Sequence, residues 1–257
     1  MEIKGGKTMS KFGLEIKNKI AYLTLQNPPA NTLSTGMIES LHQQLDRIEE
    51  ENVKAVLVTG EGRFFSAGAD IKEFTSLKQS SNYQSISKNG QNALDRIENS
   101  SIPFIAAING PAFGGGLELA MACHIRIVTE DVKLGLPEIT LGIIPGFAGT
   151  QRLPRFVGTA KAYELMLTGE AITANEAQTL GLANRVVKNN EDLEAQSNQL
   201  VEKIASMSKP AIQQIMHLIS FSKSENFDKG VKAEAVAFEK VFGTADSSEG
   251  IQAFREK

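Results

Sequence analysis

Two glutamates stand out for the company they keep. Glu118 is the only acidic residue of GGGLELAMACH (114–124), a segment otherwise built from glycine and apolar residues up to His124. A helix apolar nearly all round is a buried helix, so Glu118 is expected to be buried. Glu138 is the only charge in LGLPEITLGIIPGFAG (134–149). An unpaired buried carboxylate costs several kcal/mol or shifts its pKa upward. Carboxylates tuned in this way exchange protons near neutral pH. A solvated helix end or a paired core group is the plainer expectation for either one alone.

Two glycine-led helix starts accompany them. FFSAGADIKEF (64–74) follows an apolar strand, and Asp70 and Glu73 have capping-box spacing. Gly114-Gly115-Gly116 follows another strand. At such starts backbone N–H groups lack intrahelical partners and suit a negative oxygen. Neither has the Lys-Ser/Thr of a P-loop or the spaced glycines of a dinucleotide site. Two amide-rich turns with two acid/base groups would serve chemistry that passes through an enolate. Sequence spacing does not place Glu118 beside Glu138, 20 residues away.

The elements that must position these residues show in the hydrophobic pattern. Phe12, Leu14 and Ile16, then Ala21, Leu23 and Leu25, alternate with more polar neighbours and predict a hairpin turning at Asn18-Lys19. NPPANTLS (27–34) is a loop, since paired prolines do not fit inside a sheet. Ile38, Leu41, Leu45 and Ile48 mark a helix face, and a second helix is predicted over about 82–98. AVLVTG (55–60), PFIAAING (103–110) and HIRIVTE (124–130) read as strands. Strands alternating with helices predict an α/β core with parallel pairing. Beyond about residue 150 helical periods dominate through Leu200, Ile215 and Phe238, and no second sheet is expected in the last hundred residues.

The 257 residues carry a net charge of −3, 41% hydrophobic and 22% charged residues. That length forms a core without disulfides, and that charge gives no general pull toward nucleic acid or anionic membrane. Three histidines and the lone Cys123 form no zinc pattern. MEIKGGKTMSKFG is basic without an apolar run, so no secretory signal is expected. No run of about 18 apolar residues predicts a spanning helix. A cytoplasmic protein follows as the default. His42, His124 and His217 are expected to pack rather than catalyse, and Cys123 to be inert. Arg152 and Arg155 are placed either to reach a phosphate or to form ion pairs.

FSAGADIKEF, NGPAFGGGLELAMACHIRI and LGLPEITLGIIPGFAGTQRLPR together resemble the crotonase (enoyl-CoA hydratase/isomerase) family. The resemblance is strong over about 55–156 and extends weakly from the first strand almost to the C-terminus. It implies a ββα spiral core, 10–195, followed by a C-terminal helical trimerisation region, 196–257. It implies that the amides of Ala69 and Gly115 form an oxyanion hole for a thioester carbonyl. Glu118 would activate a water and Glu138 would protonate Cα. Gly146 would line the water site, and Ala30, Ala67, Gly68, Asp70, Ile71 and Lys72 the CoA path. The implied activity is hydration of a trans-2-enoyl-CoA by a homotrimer or dimer of trimers, without metal or redox cofactor. Double-bond isomerisation is the alternative, and RNA binding a more distant one. Phe147, where relatives often carry a small residue, leaves the size of the acyl pocket open, as does the short C-terminus.

Overall fold

The computed structural model describes residues 12–70, 73 and 83–222, with residues 244, 245, 249 and 256. Strands β1 (Phe12–Lys17) and β2 (Ile20–Leu25) pair antiparallel across Asn18 and Lys19, both at positive φ. Such a two-residue turn matches the right-handed twist of its strands. Strands β3 (Ala55–Gly60), β4 (Phe104–Ile108), β6 (Ile125–Thr129) and β9 (Arg185–Val187) then add in parallel, in the order β1-β2-β3-β4-β6-β9. A small sheet joins β5 (Ala112–Phe113), β7 (Lys133–Gly135) and β8 (Ile172–Thr173).

The strand period of two divides the core between the faces of the large sheet. Val56, Val58, Phe104, Ala106 and Ile108 point to one side, where helices α1 (Thr35–Glu50), α2 (Tyr83–Glu98) and α3 (Gly115–Ala122) contribute Leu41, Leu94 and Leu119. Ala55, Leu57, Ile105 and Ala107 point to the other and meet Leu193 and Val201. Those last two lie on α7 (Asn190–Ala205). A 3-10 helix (Glu138–Leu141), α4 (Gly149–Val157), α5 (Thr159–Thr168) and α6 (Ala174–Thr179) carry the chain between β7 and β9. Helix α8 (Lys209–Ser222) buries no residue.

The hairpin, the parallel core strands, and helices α1 and α2 agree with the sequence pattern. One expectation needs correction: β8 and β9 lie within the last hundred residues, and β9 extends the main sheet. Strands of two or three residues are too short for alternation to register. The helix expected at Asp70 and the apolar period through Phe238 fall mostly outside the described residues. Among the described residues no helix is long and apolar enough to cross a membrane, and no cluster of three or more His, Cys, Asp or Glu could hold a metal.

Candidate active site

The site gathers around Gly114. This residue follows β5 and caps α3, with φ 51° and ψ −127°, a region that side chains with a Cβ rarely enter. Its N–H donates to Gly135 O at 2.9 Å and its carbonyl accepts from Glu118 N at 2.9 Å. A Cβ placed here would lie 2.8 Å from Glu138 Oε1 and 3.8 Å from Gly68 Cα. The loop after β3, the start of α3 and the 3-10 helix thus meet at one glycine. Gly68 is equally constrained: at φ +95°, a Cβ on it would stand 2.8 Å from Phe113 O and 3.3 Å from Gly115 N.

Glu118 is 1% exposed. Its Oε1 accepts from Phe147 N at 2.8 Å and from Gly149 N at 2.6 Å. Ala148 lies between these donors in a left-handed conformation, φ 71°, and the turn lets both flanking amides converge on one oxygen. Burial drives the Glu118 pKa up to about 7. The Gly149 amide opposes that rise, the neighbouring Glu138 carboxylate adds to it, and the Phe147 amide and Arg152 oppose it. Glu138 opens the 3-10 helix, and burial raises its pKa too. Its Oε2 is buried without a hydrogen-bond partner among the described residues. A buried carboxylate oxygen left unpaired needs an explanation, and a ligand that completes it is one. So Glu118 and Glu138, separated in sequence, are brought within electrostatic reach of each other.

The amides of Ala69 and Gly115 have no hydrogen-bond partner among the described residues. The segment bearing Ala69 is fixed on both sides. Leu33 N donates to Gly68 O at 2.8 Å and Ala67 N to Ala30 O at 2.9 Å. Asp70 Oδ2 lies 3.5 Å from Thr32 Oγ1, and the Glu73 carboxylate accepts from Thr35 N at 2.8 Å, at the first turn of α1. Ile71 and Lys72 lie outside the described residues. Gly146 presents its carbonyl to Ser87 Oγ at 2.6 Å and Gln91 Nε2 at 3.1 Å. The Phe147 ring is buried between α2 and α3, where a Cβ on Gly90 would overlap it and a Cβ on Gly115 would touch it at 3.2 Å.

Two supporting residues escaped the sequence analysis. Asn31, 1% exposed, donates to Glu61 O at 2.9 Å and Phe64 O at 2.8 Å, and accepts from Asn27 N at 3.1 Å. Ser66 is fully buried, donates to Asn31 O at 2.7 Å, and bridges to Ala112. Together they tie the proline loop to the strand that leads into Gly114. Asn31 is one of four polar residues of NPPANTLS and Ser66 a single hydroxyl in FFSAG, so neither carries a distinctive sequence signal. Unsatisfied buried partners cost about 1–3 kcal/mol, and a chain of this size loses about 2–4 °C per kcal/mol. Asn31→Ala is therefore expected to lower Tm by about 5 °C, read by thermal unfolding.

The remaining candidates are accounted for structurally. His42 Nδ1 meets Arg96 Nη1 at 3.2 Å, and His124 Nδ1 accepts from Phe104 N at 3.0 Å. Cys123 is buried, and burial pushes its thiol up to about 12. Arg152 and Arg155 form ion pairs with Glu98 at 2.8 and 2.9 Å, which gives both the ion-pairing role, and Arg152 is buried.

Two amides without partners among the described residues, set against one buried and one half-buried carboxylate, are an arrangement able to hold a carbonyl oxygen and move protons beside it. The enoyl-CoA hydratase/isomerase family model matches residues 15–257, and the chain belongs to that family. It is 49% identical over 250 residues to a probable enoyl-CoA hydratase of Bacillus subtilis (strain 168), covering 97% of each chain. The solved enoyl-CoA hydratase of Bacillus anthracis superposes with a TM-score of 0.90 at 38% identity, covering 96% of each chain. Pseudomonas aeruginosa DspI superposes at 0.92 and 32% identity, covering 99% of this chain and 97% of that one.

Proposed function

We propose that the protein is an enoyl-CoA hydratase, adding water reversibly across the double bond of a trans-2-enoyl-CoA to give the 3-hydroxyacyl-CoA. The observation that carries this reading is the electrostatic coupling of the buried Glu118 carboxylate to the half-buried Glu138, whose buried Oε2 has no hydrogen-bond partner among the described residues. The thioester carbonyl accepts hydrogen bonds from the Ala69 and Gly115 amides, which draw electron density from Cβ and stabilise the enolate that follows. A water held between the carboxylates gives a proton to Glu118 while its oxygen bonds to Cβ. Glu138 gives its proton to Cα from the same face, so addition is syn. Transfer of the acquired proton from Glu118 back to Glu138 resets the pair. Every proton and electron pair is supplied by water, the carboxylates and the thioester, so the reaction calls for no metal or redox group.

Ala30, Ala67, Gly68, Asp70, Ile71 and Lys72 line the path of the CoA portion, and Gly146 borders the water. Residues 10–195 form the core that bears the site. Residues 196–257 form the region through which copies assemble as a trimer or dimer of trimers. The face of α8 supports that assembly role, since Ile215 and Ile219 are each 56% exposed. The setting that fits best is cytoplasmic fatty-acid β-oxidation, which supplies enoyl-CoA thioesters.

The test is chromatographic separation of the products from trans-2-enoyl-CoAs of graded length. A 3-hydroxyacyl-CoA product supports hydration; a migrated double bond with no hydroxy product would assign an isomerase instead. The pH profile gives a further check. Glu118 acts as base only when ionised, and its pKa lies at about 7. The expected kcat/KM therefore declines as pH falls below about 7, tending to about tenfold per unit. An acid limb at an ordinary carboxylate value near 4.5 would contradict the role given to Glu118.

A further inference from the structure

We infer that Arg152 is a positioning residue for Glu118, acting through the backbone of residues 147–149. This rests on the hydratase reading above. The Arg152 guanidinium, with a side chain 3% exposed, is held on three sides. Nη1 donates to Phe147 O at 2.6 Å, Nε to Glu98 Oε2 at 2.8 Å and Nη2 to Asp95 Oδ1 at 2.7 Å. The peptide whose carbonyl it grips follows the very amide, Phe147 N, that donates to Glu118 Oε1. Gly149 N, the second donor to that oxygen, starts the helix on which Arg152 sits. One cation on α4 thus clamps the turn around Ala148 against α2, and the turn in turn aims two amides at the base.

A planar guanidinium suits this task because its donors are fixed in one fork. A neutral side chain of similar length would leave the Phe147 carbonyl without its charged donor and the turn free to drift. The charge has a second effect. Around Glu118 the charged groups are Glu138 from the 3-10 helix and Arg152 from α4. Around Arg152 stand Asp95 and Glu98 from α2, with Arg155 sharing Glu98. Cys123, at the end of α3, also senses Arg152, and the neighbouring His124 contacts the Glu98 carbonyl. Arg152 is the cation of this set that favours the ionised form of Glu118, and the α2 carboxylates partly offset it.

Opposite shifts of the acid limb follow for the two sides of the clamp. In Arg152→Gln, kcat is expected to fall by about 30-fold with KM within about threefold of wild type, and the acid limb of kcat/KM to move up by about half a unit. Arg152→Lys keeps the charge but not the fork, so the limb stays at the wild-type position while kcat recovers only in part. Asp95→Asn frees the cation, so the limb moves down by about 0.3 unit. The Asp95 side chain is 50% exposed, so this variant reads the clamp even where Arg152→Gln does not fold. The inference is overturned by wild-type hydration accompanied by an acid limb that stays fixed in Asp95→Asn, or in a folded Arg152→Gln. Absence of hydration by the wild type would instead overturn the hydratase reading beneath it.

Discussion

Glu118→Gln is expected to lower kcat by about 10³-fold while leaving KM for the enoyl-CoA within a few-fold of wild type. The amide keeps the shape of the side chain, and its oxygen can still accept from Phe147 N and Gly149 N. What it loses is the ability to take a proton from water. On the proposed reading the thioester is held elsewhere, by the Ala69 and Gly115 amides, so ground-state binding is spared. The same substitution is expected to stabilise the fold above neutral pH. The folded pKa of Glu118 lies at about 7, above its ordinary value of 4.5. Such a group contributes stability that is fully present below the unfolded value and is lost as pH rises through the folded one. Gln carries no such penalty, so Tm at pH 8 should rise even as activity collapses. Steady-state kinetics beside a thermal melt check both parts. A variant that is inactive because it is unfolded would contradict the second.

The next largest effect is expected from Gly114→Ala. Placing a Cβ residue at φ 51°, ψ −127° costs about 1–3 kcal/mol, and the new methyl would meet Glu138 Oε1 at 2.8 Å. Either the backbone shifts, moving the Gly115 amide and Glu118 together, or Glu138 swings away. Both spoil the alignment on which proton transfer depends, where displacements of about 1 Å cost about 10²-fold. We expect kcat to fall by about 10²-fold or more and Tm by about 5 °C. Full activity in this variant would mean that Gly114 is not the seat of the site.

Much of this arrangement is legible in the sequence, for local reasons. Val56 and Val58 alternate with Ala55 and Leu57 because each face of the strand has its own core to fill. Glu118 is exposed as unusual by the apolar residues on every side of its helix, and their burial makes its carboxylate responsive to small changes. Other features depend on contacts that no local pattern records. The donors to Glu118 come from residues 147 and 149, and no periodicity links 118 to a turn some thirty residues on. Arg152 is compatible with a phosphate or an ion pair until α2 supplies Asp95 and Glu98. The segment around Glu138 is apolar in sequence, yet Leu141 and Ile144 are exposed, since the 3-10 helix and the turn after it lie at the surface of the described residues. The Phe147 ring occupies the space that Gly90 and Gly115 leave for want of side chains, a packing that no local pattern records.

The most direct test of the central claim follows the ultraviolet absorbance of crotonyl-CoA with the purified wild-type protein and, in parallel, with Glu138→Gln. The account predicts loss of the conjugated-enoyl band with wild type and little loss with the variant. An unchanged band with folded, assembled wild-type protein would contradict hydration of a short-chain enoyl-CoA. Equal loss with both proteins would contradict the assignment of Glu138 as the acid.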